Sequence, residues 1–188
     1  HEKITYDLLV PYNRMRLSRL LNTLEEYEVK YFIEENLYTK NVVISLGKQS
    51  SKKIVIGAHY DIVDNSFGIN DNTCSVALLI SFALELEKRN ISKSVDIVFF
   101  DREETGMLGS SLYVENNHEK IDYALILDII GVGDTLIFST KNKYLENKLN
   151  HLRFKKSFFE LPSDNLSFKK SNIPTGLITA VHKDDLEY

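Results

Sequence analysis

Histidine and carboxylates recur along this chain of 188 residues beside its apolar runs. His59, Tyr60 and Asp61 follow the run 54–58, and Asp101, Arg102, Glu103 and Glu104 follow the run 95–100. Asp128 sits inside the run 124–130, and Asp71 stands at the head of the apolar stretch 73–88. Taken singly, most have an ordinary explanation. A lone His after a strand is more often structural than a ligand. Glu103 and Glu104 would suit the first turn of a helix, where the macrodipole favours acids. Asp71, Asn72 or Thr73 could cap the helix that follows. Asp128 is harder to place, because an unpaired carboxylate in a core strand is costly and needs a cation or several donors. Taken together they share one chemistry. His nitrogen and carboxylate oxygen are zinc ligands, and carboxylates can converge where divalent cations offset their repulsion. Two such ions ~3.5–4 Å apart, bridged by a carboxylate, form a hydrolytic centre.

Such convergence requires a scaffold. The runs 54–58, 95–100 and 124–130 predict strands buried on both faces. Residues 73–88 predict a helix that is apolar around most of its girth, after a polar loop at 60–72. Met15, Leu17, Leu20, Leu21 and Leu24 recur at helical spacing, which predicts an amphipathic helix over 14–27. Residues 28–46 are β-branched and aromatic with a break at Glu35-Asn36, the pattern of two strands in a hairpin. Further helices are expected at 106–117, 141–154 and 164–171, and strands at 135–139 and 175–181. The alternation predicts an α/β layered domain with a mixed, mostly parallel central sheet flanked by helices, and antiparallel strands from the hairpin at its edge. Strand order stays open. In open α/β sheets the active crevice lies outside the carboxyl ends of the strands, where the His and the acids stand here.

Composition narrows the rest. Hydrophobic residues make up 43% and charged residues 27%, as in an ordinary globular domain. Cys74 is the lone cysteine, which excludes an intrachain disulfide and a cysteine-rich zinc module; it reads as a packed thiol. No apolar run approaches the ~18–20 residues of a membrane span. A net charge of −4 argues against a nucleic-acid surface. Gly131-Val132-Gly133-Asp134 lacks the third glycine of a dinucleotide fingerprint, and Ser110-Ser111 has no nucleophile elbow around it. His1, His118 and His151 stand in polar contexts and read as surface residues.

Five stretches carry a family resemblance, in order from about residue 54 to 180: Gly57-Ala58-His59-Tyr60-Asp61, Gly68-Ile69-Asn70-Asp71-Asn72, the glutamate-pair segment 99–110, Leu127-Asp128-Ile129-Ile130-Gly131, and Ser163-Asp164 with Phe168 and Ile173-Pro174. In these the chain resembles the zinc aminopeptidase family with two co-catalytic metals, which includes secreted bacterial leucyl aminopeptidases and has the glutaminyl cyclases as relatives. The resemblance implies a three-layer sandwich and two zinc ions. It implies that His59 binds one zinc, Asp128 completes that site, Asp71 bridges both ions and Glu104 binds the second. It implies that Glu103 is the general base for the attacking water and that Asp61 holds His59 in the right tautomer.

The family's fifth ligand is a late His. His182 follows Pro174 by too short a stretch to match it, and many members carry His where this chain has Asn165. Residues 1–188 are therefore expected to be a single metallopeptidase-like catalytic domain, incomplete at the C-terminus. The implied activity is that of a metallo-aminopeptidase acting on peptides with a free N-terminus through a metal-activated water. A glutaminyl cyclase-like acyltransferase with one zinc is the alternative, as is a non-catalytic binding domain on the same scaffold. No signal peptide opens the sequence, although secreted or cell-envelope settings are common in the family.

Overall fold

The computed structural model describes residues 2–157 and 160–186. Two helices lead, α1 (Glu2–Leu8) and α2 (Asn13–Glu26), followed by the hairpin β1 (Phe32–Glu35) and β2 (Lys40–Leu46). Then come β3 (Lys53–His59), α3 (Cys74–Glu87), β4 (Ser94–Phe100), α4 (Leu108–Asn117) and β5 (Ile121–Leu127). The remainder is β6 (Thr135–Ser139), α5 (Lys143–Lys148), β7 (Lys155–Lys156), α6 (Asn165–Lys170) and β8 (Thr175–Val181).

The strands form one sheet in the order β1-β2-β4-β3-β5-β8-β6-β7. The centre, β4-β3-β5-β8, is parallel. The hairpin joins one side antiparallel, as its sequence predicts, and β6 pairs antiparallel with β8 on the other. The side chains of Asn36 and Thr39 lie at the hairpin turn, where Asn36 Oδ1 accepts the N–H groups of Tyr38 and Thr39.

Alternation along β4 shows how the two faces fill. Ile97 and Phe99 pack with Leu20, Leu24 and Ile80 beneath α1, α2 and α3. Val98 and Phe100 pack on the opposite face with Tyr113 of α4 and Phe168 of α6. The Phe100 ring occupies the space a side chain at residue 57 would need: a Cβ on Gly57 would lie 2.3 Å from it.

Four expectations are corrected. The strand expected at 124–130 is β5, Ile121–Leu127, so Asp128 stands just beyond its end and not inside it. Ile129 has φ +54°, a left-handed conformation that a ladder cannot continue. Its N–H goes to Asn72 Oδ1 at 3.3 Å, and its carbonyl accepts from Ala180 N at 3.0 Å. The helix expected at 141–154 is only Lys143–Lys148; Asn142 caps it, Leu145 alone is fully buried, and the chain must turn back to pair β7 with β6. No side chain caps α3, because the Thr73 hydroxyl instead accepts from Arg16. The buried stripe of α2 is Arg16, Leu20, Thr23 and Leu24, with Met15 exposed. The helix α1 and the short β7 were not expected. His118 and His151 are exposed, as read, and His1 lies outside the described residues. No helix among the described residues is long and apolar enough to cross a membrane.

Candidate metal centre

The parallel strands β3, β4 and β5 end at the same edge of the sheet, and each delivers part of the site. His59 is the last residue of β3 and is only 1% exposed. Its Nδ1 lies 3.1 Å from the backbone carbonyl of Asp61 and 3.4 Å from the Asp61 carboxylate. Nδ1–H therefore points back to the chain, and Nε2 faces outward, 3.1 Å from Asp71 Oδ1 and 3.5 Å from Asp128 Oδ1. Burial alone would lower the proton affinity of the ring. Hydrogen bonding to Asp128, Asp61 and Asp71 overrides it and holds the imidazole pKa well above its usual range.

Asp61 also fixes the next segment. Its two carboxylate oxygens accept the backbone N–H groups of Glu103 at 3.0 Å and Glu104 at 3.2 Å. The turn after β4 closes on itself as Gly106 N and Met107 N both donate to Glu103 O at 2.9 Å. Glu103 and Glu104 are thus held half-buried beside the His. Burial, with the charges of Asp128 and Glu104 adding to it and His59 opposing, pushes the Glu103 carboxyl up to about 7. Glu104 is raised as well, first by burial and then by Asp71, and its buried Oε1 has no hydrogen-bond partner.

Asp71 sits in the irregular turn Ile69–Thr73 ahead of α3, where the Asp71–Asn72 peptide is cis. Its neighbours dock that turn onto the segment after β5. Asn72 Nδ2 donates to Leu127 O at 2.9 Å, and Asn70 Oδ1 accepts Gly131 N at 2.7 Å. The approach is close enough that a Cβ on Gly131 would meet Cys74 Sγ at 2.6 Å. Cys74 is half-buried beside this contact, and burial raises its thiol pKa.

Two groups of candidate ligands result, His59 with Asp71 and Asp128, and His59 with Glu103 and Glu104. In each, the ligand atoms lie within 4.8 Å of one another. Asp128 Oδ1 and Glu104 Oε1 are buried without a settled hydrogen-bond donor, and His59 Nε2 meets only the carboxylate oxygens of Asp71 and Asp128. Buried carboxylate oxygens without donors are expensive, and divalent cations held by the two groups would offset that cost. One imidazole nitrogen among carboxylate oxygens is a donor set that zinc accepts. The residues present therefore fit a metal site.

All six residues singled out in the sequence, His59, Asp61, Asp71, Glu103, Glu104 and Asp128, lie together at this edge. His182, by contrast, is exposed just past β8 and belongs to neither group. Asp164, read from sequence only as part of a segment packed beside the site, is fully buried with both carboxylate oxygens unpartnered. Burial pushes its pKa up to about 8. Asn165 is turned inward, accepting from Ser163 N and donating to Leu161 O. Sequence reasoning missed Asn13 and Arg16, which reach this edge from α2. The available signal was spacing: Arg16 lies four residues before Leu20, on the stripe that packs inward.

Residues 41–188 match the model of peptidase family M28. Leucine aminopeptidase 2 of Trichophyton equinum is 29% identical over 166 residues, covering 76% of this chain and 34% of that protein. The chain thus spans about a third of the length of the curated relatives it matches. Among solved structures, the LapA aminopeptidase of Legionella pneumophila superposes with a TM-score of 0.78 at 20% identity, over 98% of this chain and 60% of that one. A glutaminyl cyclase of Porphyromonas gingivalis gives 0.72 at 19% identity, over 97% and 81%. At such identities these likenesses establish the fold.

Proposed function

The chain belongs to peptidase family M28, and from that premise we propose that it carries the catalytic metal site of a zinc metallo-aminopeptidase that releases N-terminal residues from peptides. The observation that carries this reading is the convergence at one sheet edge of His59 Nε2 with Asp71 and Asp128 and with the Glu103-Glu104 pair, within 4.8 Å in each group. His59 and Asp128 would hold one zinc, Glu104 a second, and Asp71 would bridge them. Bound there, zinc supplies a water of pKa near 7 and polarises the scissile carbonyl. The protein supplies the rest. Asp61 orients the His59 ring through Nδ1 and fixes the backbone of Glu103 and Glu104. Glu103, with proton affinity raised to about 7 by burial, is suited to take a proton from the attacking water and pass it to the leaving amine.

The test is zinc per chain in protein purified without chelator, paired with product analysis. Near two zinc ions and release of a free amino acid from a peptide support the reading. One zinc with pyroglutamate formed from an N-terminal Gln peptide would replace it with a cyclase-like acyl transfer. Folded chain without zinc would leave a binding domain on this scaffold.

A further inference from the structure

Helix α2 carries two polar residues one turn apart, exposed Asn13 and buried Arg16, that both reach the same loop. Asn13 pairs with Ile62 as a strand would, Nδ2 donating to Ile62 O at 2.6 Å and Oδ1 accepting Ile62 N at 2.8 Å. Arg16 is 3% exposed and uses three nitrogens on three different segments. Nε donates to Tyr60 O at 2.7 Å, Nη1 to Leu8 O at 3.0 Å and Nη2 to Thr73 Oγ1 at 2.8 Å.

Those partners are placed tellingly. Tyr60 and Ile62 flank Asp61 on either side, and Thr73 closes the turn that holds Asp71. Among the described residues Arg16 forms no salt bridge; its hydrogen bonds go to three neutral oxygens, and the Asp61 carboxylate acts on its charge from farther away. A buried guanidinium whose hydrogen bonds all go to neutral oxygens is costly as a packing device. Its planar fork is, however, the side chain able to fix several backbone segments in set directions at once. The family match begins only at residue 41, so α2 lies outside the matched stretch.

We propose that Arg16 is a positioning residue for the metal centre. With Asn13 it clamps the His59–Asp61 segment to the Asp71–Thr73 turn, so that α2 sets the separation of ligands that arrive from different parts of the chain. The proposal rests on the reading of this edge as a zinc site.

Zinc affinity of the full chain, measured by competition with a chromophoric chelator, tests it. Arg16→Lys keeps the charge and loses the fork, and Thr73→Val removes one anchor without touching Arg16. Both should bind zinc about 10–100-fold more weakly, the usual effect of losing a residue that orients a ligand. Thr73→Ser keeps the hydroxyl and should bind as the parent does. Leu20→Ala, in the core of the same helix, should lower the melting temperature while leaving zinc affinity at the parent value. Parent-like affinity in Arg16→Lys would overturn the proposal, as would a loss in Leu20→Ala equal to that in Arg16→Lys. Loss in Arg16→Met but not in Arg16→Lys would also overturn it, assigning the effect to charge. A parent chain that binds no zinc would instead strike down the metal reading itself.

Discussion

The backbone N–H of Glu104 donates to Oδ2 of Asp61 at 3.2 Å, across the gap between two parallel strands. The other oxygen of the same carboxylate takes the N–H of Glu103, and the Asp61 main chain meets Nδ1 of His59. One residue thus ties the imidazole to the glutamate pair. Asp61→Asn would leave one of two buried N–H groups facing an NH2. We expect a loss of about 1–3 kcal/mol in stability and a zinc affinity reduced about 10–100-fold. Urea titration and chelator competition measure the two effects separately, and parent-like values in both would show that Asp61 holds nothing in place.

Glu103→Gln keeps the size of the side chain and its backbone bonds but removes the proton acceptor. Zinc content should stay near that of the parent, while kcat for peptide hydrolysis falls about 10²–10⁴-fold. Unchanged turnover at full zinc occupancy would remove Glu103 as the base.

Chelation should lower the melting temperature. His59, Asp71 and Asp128 converge, as do His59, Glu103 and Glu104, and an ion that binds only the folded chain stabilises it in proportion to the logarithm of its concentration over Kd. Scanning calorimetry with and without EDTA, followed by added zinc, should show a reversible shift. Coincident melts would speak against a folded metal centre.

Asp164 gives a pH dependence with a definite sign. Its folded pKa is pushed up to about 8, against about 3.9 when unfolded. Between those values the folded chain holds a proton that the unfolded chain has lost. Its contribution to stability therefore falls as pH rises from about 4 to about 8 and is level beyond. Asp164→Asn cannot titrate, so its stability relative to the parent should rise across that window. Urea melts at pH 5 and pH 9 with chelator present would show this, and parallel profiles for the two proteins would refute it.

Much of this was legible from residue types. Apolar runs long enough only for strands, each followed by His or acid, located β3 and β4 and with them His59, Asp61, Glu103 and Glu104. Asp128 stands out by residue type and lies with the others at the sheet edge, although its strand ends three residues earlier than the apolar run suggests. The ending of β5 depends on a left-handed Ile129 held by Asn72 and Ala180, partners distant in sequence. Arg16 escaped because a charged residue on an amphipathic helix reads as solvent-facing, and nothing local shows that Tyr60 O, Leu8 O and Thr73 wait for it. The shortness of α5 escaped for a similar reason: Leu145, Leu149 and Leu152 keep helical spacing, but the pairing of β7 with β6 decides where the helix stops.

The parallel ladders have a kinetic consequence. His59 pairs opposite Phe100, and Lys53 opposite Ile121, so the candidate metal ligands meet only after strands far apart in sequence have found their register. Non-local pairing of this kind makes folding slow and leaves the last contacts outside the rate-limiting transition state. On this ground a zinc ion is expected to bind after the rate-limiting step of folding. Refolding rates should be the same with and without zinc, and the ion should act on the reverse step, lengthening the lifetime of the folded state.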